Sequence, residues 1–337
     1  MNHNFSRTII ETIVRKAISD IQDAPKLSIR NCVDMALTSA EGRFQNYFFQ
    51  TARVMLEDES SSYYKLVSDT VVSVDTDKLV TFGLNLGYNS CTIGAQKIRR
   101  LEQEKHFNIP WSVTLAIHGS DYLQKEAEYN SILEQGKALG IYTWMIYALD
   151  EADKILSLVR EHPECAFILY CNPEEITDTV LDEAENIDYV MFAVRHADGV
   201  ENACRLLRSR RFLYSVFYLF GESDCDDILR GEFLSDTEIL HPLFTGFLAK
   251  EKCAENVKKT VYQYIVDERK HQRNQTILWD IINDSCYIDG IVSEESCSAG
   301  FTADGYLATY NGGQKYETYN ILKQPLSAIL EASFPKS

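Results

Sequence analysis

The chain of 337 residues is 45% hydrophobic and 25% charged, ordinary proportions for a globular protein that exclude the disordered and fibrous classes. Its 33 Lys and Arg residues against 50 Asp and Glu residues give a formal net charge of −17. Such a charge repels polyanions, so nucleic acid and anionic membrane surfaces are not expected partners. The longest apolar run, 212–221, is shorter than a spanning helix of roughly 20 residues, and the first residues lack a signal-peptide core. We therefore expect a cytoplasmic protein with reduced thiols.

The first 75 residues are predicted to be helical. Apolar residues from Ile9 to Ile21 recur at a period near 3.6, which places them on one face of a helix. A second helix is predicted over about 41–57, and the polar run 58–62 ends it. The pattern changes near Thr76, so we predict a helical N-terminal region over residues 1–75.

From residue 76 the sequence alternates short apolar runs with amphipathic stretches. The apolar runs predict buried parallel strands, because both faces of such strands are covered. The predicted strands are Leu79–Leu86, Trp111–Ile117, Tyr142–Ala148, Ala166–Tyr170, Tyr189–Val194 and Phe212–Leu219. The predicted helices between them are Ala95–Lys105, Leu123–Leu139, Ala152–Glu161, Glu174–Ala184 and Val200–Arg208.

Repeated βα units of this kind fit either a barrel or an open doubly wound sheet. We favour the barrel and predict an α/β protein of the (βα)6 partial TIM-barrel type, with the barrel over residues 76–250. Helices are also predicted at Asp236–Lys250 and Ala254–Gln272, and Asp304-Gly305 predicts the turn of a β-hairpin over Phe301–Tyr310. Residues 251–337 are thus expected to form an α+β C-terminal extension.

Ligands bind at the carboxyl ends of the strands in either architecture, so the residues there are the site candidates. The ligand-binding candidates are Asn85, Tyr88, Asn89, Gly119, Ser120, Asn172, Arg195 and Glu222. The catalytic candidates are His118, Asp121, Cys171 and His196, and Asp150 is a further carboxylate at a strand end. An ordinary structural role is also open for these candidates: the cysteines can be buried thiols, and the carboxylates can be solvated surface charges.

A metal site is not expected. The weak candidates for one are Cys91, His118, Cys171 and His196, which would have to converge from different loops without the fixed spacing of a ligand motif. Tyrosine and phenylalanine side chains crowd the predicted strands, where they either fill the core or line a pocket for an organic ligand or a peptide side chain.

One segment resembles a family motif. Residues 84–91, LNLGYNSC, resemble the cysteine loop CxxxCxxC that follows the first barrel strand of radical S-adenosylmethionine enzymes. Only Cys91 is retained, since Leu84 and Tyr88 stand at the first two cysteine positions. Residues 118–123 resemble the GGEPL segment of the same family with Gly119 kept.

Two further segments extend the resemblance. Residues 138–143 are similar to the entry into the third strand, and the hairpin after Cys297 is similar to the C-terminal SPASM or twitch hairpin, without its closing cysteine. The family binds a [4Fe–4S] cluster through three thiolates, and the fourth iron binds S-adenosylmethionine. Because two of the three thiolates are missing, we expect no cofactor, neither S-adenosylmethionine nor [4Fe–4S].

The resemblance therefore implies a pseudoenzyme that keeps the barrel and binds a small molecule, a peptide or a protein partner. The alternative is a barrel enzyme, a hydrolase, lyase or isomerase, that uses the polar strand ends, with or without a bound metal. Such an enzyme would not be a conventional radical S-adenosylmethionine enzyme. A third hypothesis is an assembly role, in which the N-terminal helices and the acidic C-terminal helix pair chains into a homo-oligomer.

Overall fold

The structure is a computed structural model that describes residues 3–38, 40, 42–293, 295–308 and 315–336. The N-terminal region is helical, as predicted, but two of its four described helices, Pro25–Thr38 and Tyr63–Ser73, were not predicted individually. Its helices are α1 (His3–Asp23), α2 (Pro25–Thr38), α3 (Arg43–Met55) and α4 (Tyr63–Ser73). No described helix is long and apolar enough to cross a membrane.

A long helical rod follows the N-terminal helices. It consists of α5 (Thr76–Leu84), a π-helical segment (Asn85–Gly94) and α6 (Ala95–Lys105). The predicted strand Leu79–Leu86 is therefore wrong. The run looked like a buried strand because α5 is covered on two sides: Val80 and Leu84 pack against the N-terminal helices, whereas Phe82 packs against strand residues of the barrel.

The remainder of the chain builds one sheet. The strands that run parallel are β1 (Ser112–His118), β2 (Thr143–Asp150), β3 (Ala166–Cys171), β4 (Val190–Arg195), β5 (Tyr214–Phe220), β6 (Phe244–Ala249), β7 (Ile277–Asp280) and β8 (Ala299–Phe301). From β1 to β7 each strand pairs with the next one along the chain. A doubly wound sheet reverses its strand order, so this unbroken order is that of the predicted partial barrel.

Helices connect the strands, and the last helix follows the final strand. They are α7 (Gly119–Tyr122), α8 (Glu126–Leu139), α9 (Ala152–Arg160), α10 (Asp178–Ala184), α11 (Val200–Ser209), α12 (Cys225–Leu229), α13 (Glu232–Glu238), α14 (Glu255–His271), α15 (Asn283–Val292) and α16 (Leu326–Ser333). Strands β1 to β5 confirm five of the predicted strands to within a few residues at each end.

The predicted helix Asp236–Lys250 is wrong in its second half. There, β6 occupies Phe244–Ala249, and α13 ends at Glu238. Leu240, Leu243, Phe244 and Phe247 follow one another at spacings of three, one and three, which also matches the period of a helix, so the pattern was ambiguous.

The C-terminal hairpin forms where it was predicted. Strands β8 and β9 (Tyr306–Ala308) are antiparallel, and Gly305 adopts φ 83° in the turn, which favours glycine. Strand β10 (Lys315–Asn320) pairs antiparallel with β9, and β8 pairs with β1, so the hairpin extends the barrel sheet. The end of the predicted hairpin, at Tyr310, lies outside the described residues, and the likeness to a SPASM hairpin stays a prediction.

Candidate binding site

The carboxyl ends of β1 to β6 lie at one end of the barrel, which we call the mouth. The last residues of these strands are His118, Asp150, Cys171, Arg195, Phe220 and Ala249. Side chains alternate between the two faces of a strand, so a residue near the end points either into the barrel or out toward the helices. That alternation separates the candidates of the sequence analysis into two groups.

His118 and Asp150 form the clearest polar contact at the mouth. The Nδ1 atom of His118 lies 2.7 Å from Oδ2 of Asp150, and the backbone N–H of Ser120 donates to Oδ1 of Asp150 at 3.0 Å. These contacts hold the pKa of the Asp150 carboxyl below its usual range, the Ser120 N–H first and the His118 ring second. Both side chains remain about two-fifths exposed, so the pair is open to a ligand.

Gly119 makes this contact sterically possible. A β-carbon on Gly119 would lie 2.2 Å from the carbonyl oxygen of Glu151 and 2.6 Å from that of Asp150, so no larger residue fits there. Glu151 itself has φ 42°, in the left-handed region. The close approach of the two strand ends therefore depends on a residue without a β-carbon.

Aromatic rings fill the barrel beneath these polar residues. The rings of Tyr147 and Tyr170 stack with their centroids 4.3 Å apart, and Phe217 meets Tyr170 edge-on at 5.2 Å. These residues come from β2, β3 and β5, so the cluster spans the interior. Arg195 pairs in register with Phe217 and is half-buried, and it belongs to the same inward-facing set.

His196 belongs to the outward-facing set. Its ring stacks on Tyr218 with centroids 4.2 Å apart, and the Tyr218 hydroxyl lies 2.5 Å from Oγ1 of Thr237 on α13. Burial lowers the pKa of His196. This histidine therefore packs against α13, on the opposite side of β4 from Arg195.

Cys171 is also directed outward. It follows the inward Tyr170 along β3 and is 3% exposed, and burial raises the pKa of its thiol. Asn172 starts the short 3₁₀ turn Pro173–Glu175, where its carbonyl oxygen accepts from Glu175 N–H at 3.1 Å. Both residues thus have structural roles at the end of β3.

The remaining candidates are solvent-facing carboxylates. Asp121 is exposed and lies 3.6 Å from Lys125 Nζ, and Glu222 is exposed in a 3₁₀ turn after β5. Sequence reasoning missed Lys250, which follows β6 and lies 3.3 Å from Asp224 Oδ2. Lys250 follows an apolar run in the sequence, but that run was assigned to the predicted helix Asp236–Lys250, so the lysine was not recognised as lying at a strand end.

Asn85, Tyr88, Asn89 and Cys91 were predicted to lie at the mouth, and this placement is wrong. They lie in the π-helical segment, which crosses the opposite, amino ends of the strands. Asn85 Nδ2 donates to the carbonyl oxygens of Pro163 and Cys165 at 2.9 and 2.7 Å, just before β3 begins. Asn89 Nδ2 donates to the carbonyl of Glu164 at 2.8 Å in the same loop.

Cys91 in that segment is a core thiol. It is 5% exposed, and burial raises the pKa of its thiol to about 12. A protonated, enclosed sulfur of this kind is neither nucleophilic nor a ready metal ligand.

Together the strand order and the connecting helices define an α/β barrel of the partial TIM-barrel type. Among solved structures, Streptococcus suis SuiB bound to precursor peptide SuiA matches with a TM-score of 0.51 and 11% identity, over 70% of this chain and 68% of that chain. SuiB bound to S-adenosylmethionine matches with a TM-score of 0.48 and 10% identity, covering 70% and 67% of the two chains. SuiB by itself gives 0.49 and 10%, covering 70% and 69%. No family model and no curated protein matches the sequence.

This comparison corrects the cofactor prediction. We expected no cofactor, and neither S-adenosylmethionine nor a [4Fe–4S] cluster, because two motif cysteines are missing. SuiB, the protein in the matched structures, has also been solved with S-adenosylmethionine bound, so the exclusion of that cofactor from the missing cysteines alone is wrong. A degraded motif in this chain is not sufficient reason to dismiss S-adenosylmethionine as a ligand.

The side chains themselves do not fit a cluster held by three thiolates. The loop after β1, residues 119–125, contains no cysteine, and Cys91 lies at the other end of the barrel. Within the described ranges, no group of three or more His, Cys, Asp or Glu residues is placed to hold a metal ion. We therefore derive no chemical step through a cluster.

Proposed function

We propose that this protein is a pseudoenzyme that binds a peptide at the mouth of its barrel. The observation that carries the proposal is the stacked Tyr147–Tyr170 pair beneath an exposed His118–Asp150 pair, with Arg195 on the same inward face. The likeness to a structure of SuiB bound to a precursor peptide supports the choice of a peptide. The division into regions 1–75, 76–250 and 251–337 remains part of this proposal.

The mouth offers three kinds of contact to a peptide. Tyr147, the partly exposed ring of the cluster, contacts an apolar side chain while the buried Tyr170 supports it from below, and the planar guanidinium of Arg195 binds a carboxylate through two hydrogen bonds. Leu123 and Leu149, next to the His118–Asp150 pair in sequence, are 65% and 44% exposed and provide an apolar rim. A peptide with an acidic residue near an aromatic or aliphatic one matches this arrangement.

The binding proposal is tested by selecting ligands from a phage-displayed random peptide library on the full chain. We expect selected peptides to combine an acidic and an apolar residue, and Arg195→Gln to weaken their binding about tenfold, the usual effect of losing a charge-assisted hydrogen bond. Tyr170→Leu should weaken binding without altering the preference for an acidic residue. Arg205→Gln on the outer helix α11 is the matched control.

Equal affinities for the parent chain, Arg195→Gln and Tyr170→Leu would show that peptides bind elsewhere, and the proposal would be wrong. S-adenosylmethionine is added as a competitor in the same assay, because the fold binds it in SuiB. The proposal that the protein is a pseudoenzyme is tested separately, by measuring turnover of S-adenosylmethionine. It predicts that the anaerobically purified chain, incubated with reductant, consumes no S-adenosylmethionine, and measurable consumption that is lost in Cys91→Ala would overturn it.

The His118–Asp150 pair favours a second candidate function, a barrel enzyme without radical chemistry. Asp150 engages Nδ1 of His118, which leaves Nε2 to accept or donate a proton at the mouth. This candidate predicts hydrolysis or isomerisation of some member of a panel of ester, amide and sugar substrates. Activity must fall in both His118→Gln and Asp150→Asn and persist in His271→Gln, which changes an exposed histidine on α14.

A further inference from the structure

A second recess lies away from the mouth, between α6, the first turn of α3 and the C-terminal segment. It has a volume of about 330 Å³, and we call it the basic pocket. Its lining contains Arg43, Arg99, Arg100 and Lys336 but one carboxylate, Glu102. In a chain with a formal net charge of −17, a local excess of cations is the opposite of what composition predicts.

The one carboxylate in the pocket lining already has hydrogen-bond partners and a cationic partner. Glu102 is 1% exposed and accepts hydrogen bonds from Ile109 N–H at 2.8 Å and from Ser293 Oγ at 2.8 Å. Lys336 Nζ lies 3.2 Å from its Oε2. Glu102 and Lys336 therefore compensate each other, and the three arginines remain as the charge excess.

The arginines lack comparable partners. Arg99 donates from Nη1 to the carbonyl oxygen of Val292 at 3.0 Å, which orients its guanidinium without neutralising it. Arg100 lies 3.8 Å from Glu104, a surface contact worth little. Neither Arg43 nor Arg99 forms an ion pair with a carboxylate in the described part of the chain. Burial, and then the nearby Arg43 charge, lower the pKa of Arg99.

The start of α3 adds to the positive potential. Gly42 caps this helix without a side-chain hydrogen bond, and no acidic residue occupies its first turn. A β-carbon on Gly42 would lie 4.0 Å from Arg99 Nη2, so the helix start faces the guanidinium. The unpaired N–H groups of a helix start favour anions.

We propose that the basic pocket binds a compact polyanion that carries phosphate groups. Arginine guanidinium groups form paired hydrogen bonds with phosphate oxygens, and the volume matches the lower end of small-ligand sites. A bound phosphate group bridges α3 to α6 and neutralises the arginines that repel one another. This site is separate from the mouth, so it does not depend on the proposed function.

Isothermal titration of the full chain with inorganic pyrophosphate tests the proposal, with citrate as the carboxylate arm and sodium chloride at matched ionic strength as the blank. We expect one pyrophosphate per chain, bound at least tenfold more tightly than citrate and more weakly as salt increases. Arg43→Gln and Arg100→Gln change exposed side chains and should each weaken binding about tenfold.

Arg53→Gln is the matched control, because it removes the same charge from the other end of α3, where Arg53 pairs with Asp34. Its affinity for pyrophosphate should equal that of the parent chain. Equal affinity in Arg43→Gln and Arg100→Gln, citrate binding as tightly as pyrophosphate, or no heat beyond the salt blank would each overturn the proposal. Circular dichroism of every variant confirms that a lost affinity does not reflect a lost fold.

Discussion

The side-chain amide of Asn85 donates to the carbonyl oxygen of Cys165 at 2.7 Å, across 80 positions of sequence. Asn85 lies in the π-helical segment, and Cys165 immediately precedes β3. Similar contacts join Asp75 N–H to the carbonyl of Arg211 before β5, at 2.8 Å, and place Gly94 against the carbonyl of Gly140 before β2. The helical rod thus closes the amino end of the barrel and leaves the mouth free.

Asn85→Ala should destabilise the fold by about 3 kcal/mol, because two buried carbonyl oxygens lose their donor. Asn85 is fully buried, so water cannot replace the lost amide without a rearrangement. Urea unfolding followed by circular dichroism measures the effect. Asn202→Ala, whose side chain contacts Arg205 on the exposed face of α11, is the control and should change the free energy of unfolding by less than about 0.5 kcal/mol. A small effect at Asn85 would show that the rod is not held through this contact.

The sequence predicted an element correctly where its apolar run had a single structural interpretation. Strands β1 to β5 are such runs, and their order led to the barrel. The run Leu79–Leu86 was misread because a helix covered on two sides has no polar face, and periodicity then cannot separate it from a strand. That error moved Asn85 and Cys91 to the mouth, because both residues were placed by the end of a strand that does not exist.

The candidate site was predicted only in part, because the sequence does not fix which face of a strand each residue lies on. His118, Asp150 and Arg195 were found, because they follow correctly placed strands. Which of them face inward depends on register, and a shift of one residue exchanges the two faces of a strand. His196 and Cys171 were therefore grouped with Arg195 and His118, although they point toward the outer helices.

Gly119→Ala should destabilise the chain by more than about 2 kcal/mol, because its β-carbon would overlap the carbonyl oxygens of Asp150 and Glu151, which are backbone atoms. The same change should separate His118 from Asp150 and weaken ligand binding at the mouth. Gly83→Ala is the matched control. No atom lies within 4 Å of the added carbon at Gly83, and alanine favours the helix by about 0.5–1 kcal/mol, so this variant should be more stable. Thermal unfolding distinguishes the two variants, and equal melting temperatures would contradict the steric argument.

The rate at which the cysteine thiols are alkylated should depend on their burial. Burial raises the pKa of Cys91 and Cys165 to about 12, so neither presents a thiolate near neutral pH. Burial raises the pKa of Cys225 as well, but its thiol is partly exposed and therefore accessible to a reagent. Iodoacetamide at pH 8 followed by peptide mass spectrometry should label Cys225 within minutes and leave Cys91 and Cys165 unmodified until urea is added. Rapid native labelling of Cys91 would place it in an accessible loop instead of the helical rod.

Asp289 should make stability fall as pH rises. Its carboxylate accepts from the N–H groups of Trp111 and Cys297, but burial, together with the nearby Glu102 charge, raises its pKa from 3.8 to about 7. The folded state therefore retains a proton that the unfolded state releases near pH 4, and stability is lost between about pH 4 and 7, at up to about 1.4 kcal/mol per pH unit.

Burial lowers the pKa of His162 and His196, which gives the opposite slope, so the effect of Asp289 is measured by comparing variants. Asp289→Asn should remove the Asp289 slope while costing stability at every pH, because its amide N–H₂ meets the Cys297 N–H. Asp198→Asn, an exposed carboxyl after β4, should leave the slope of unfolding free energy unchanged, and identical slopes in all three proteins would show that Asp289 is ionised in the folded state.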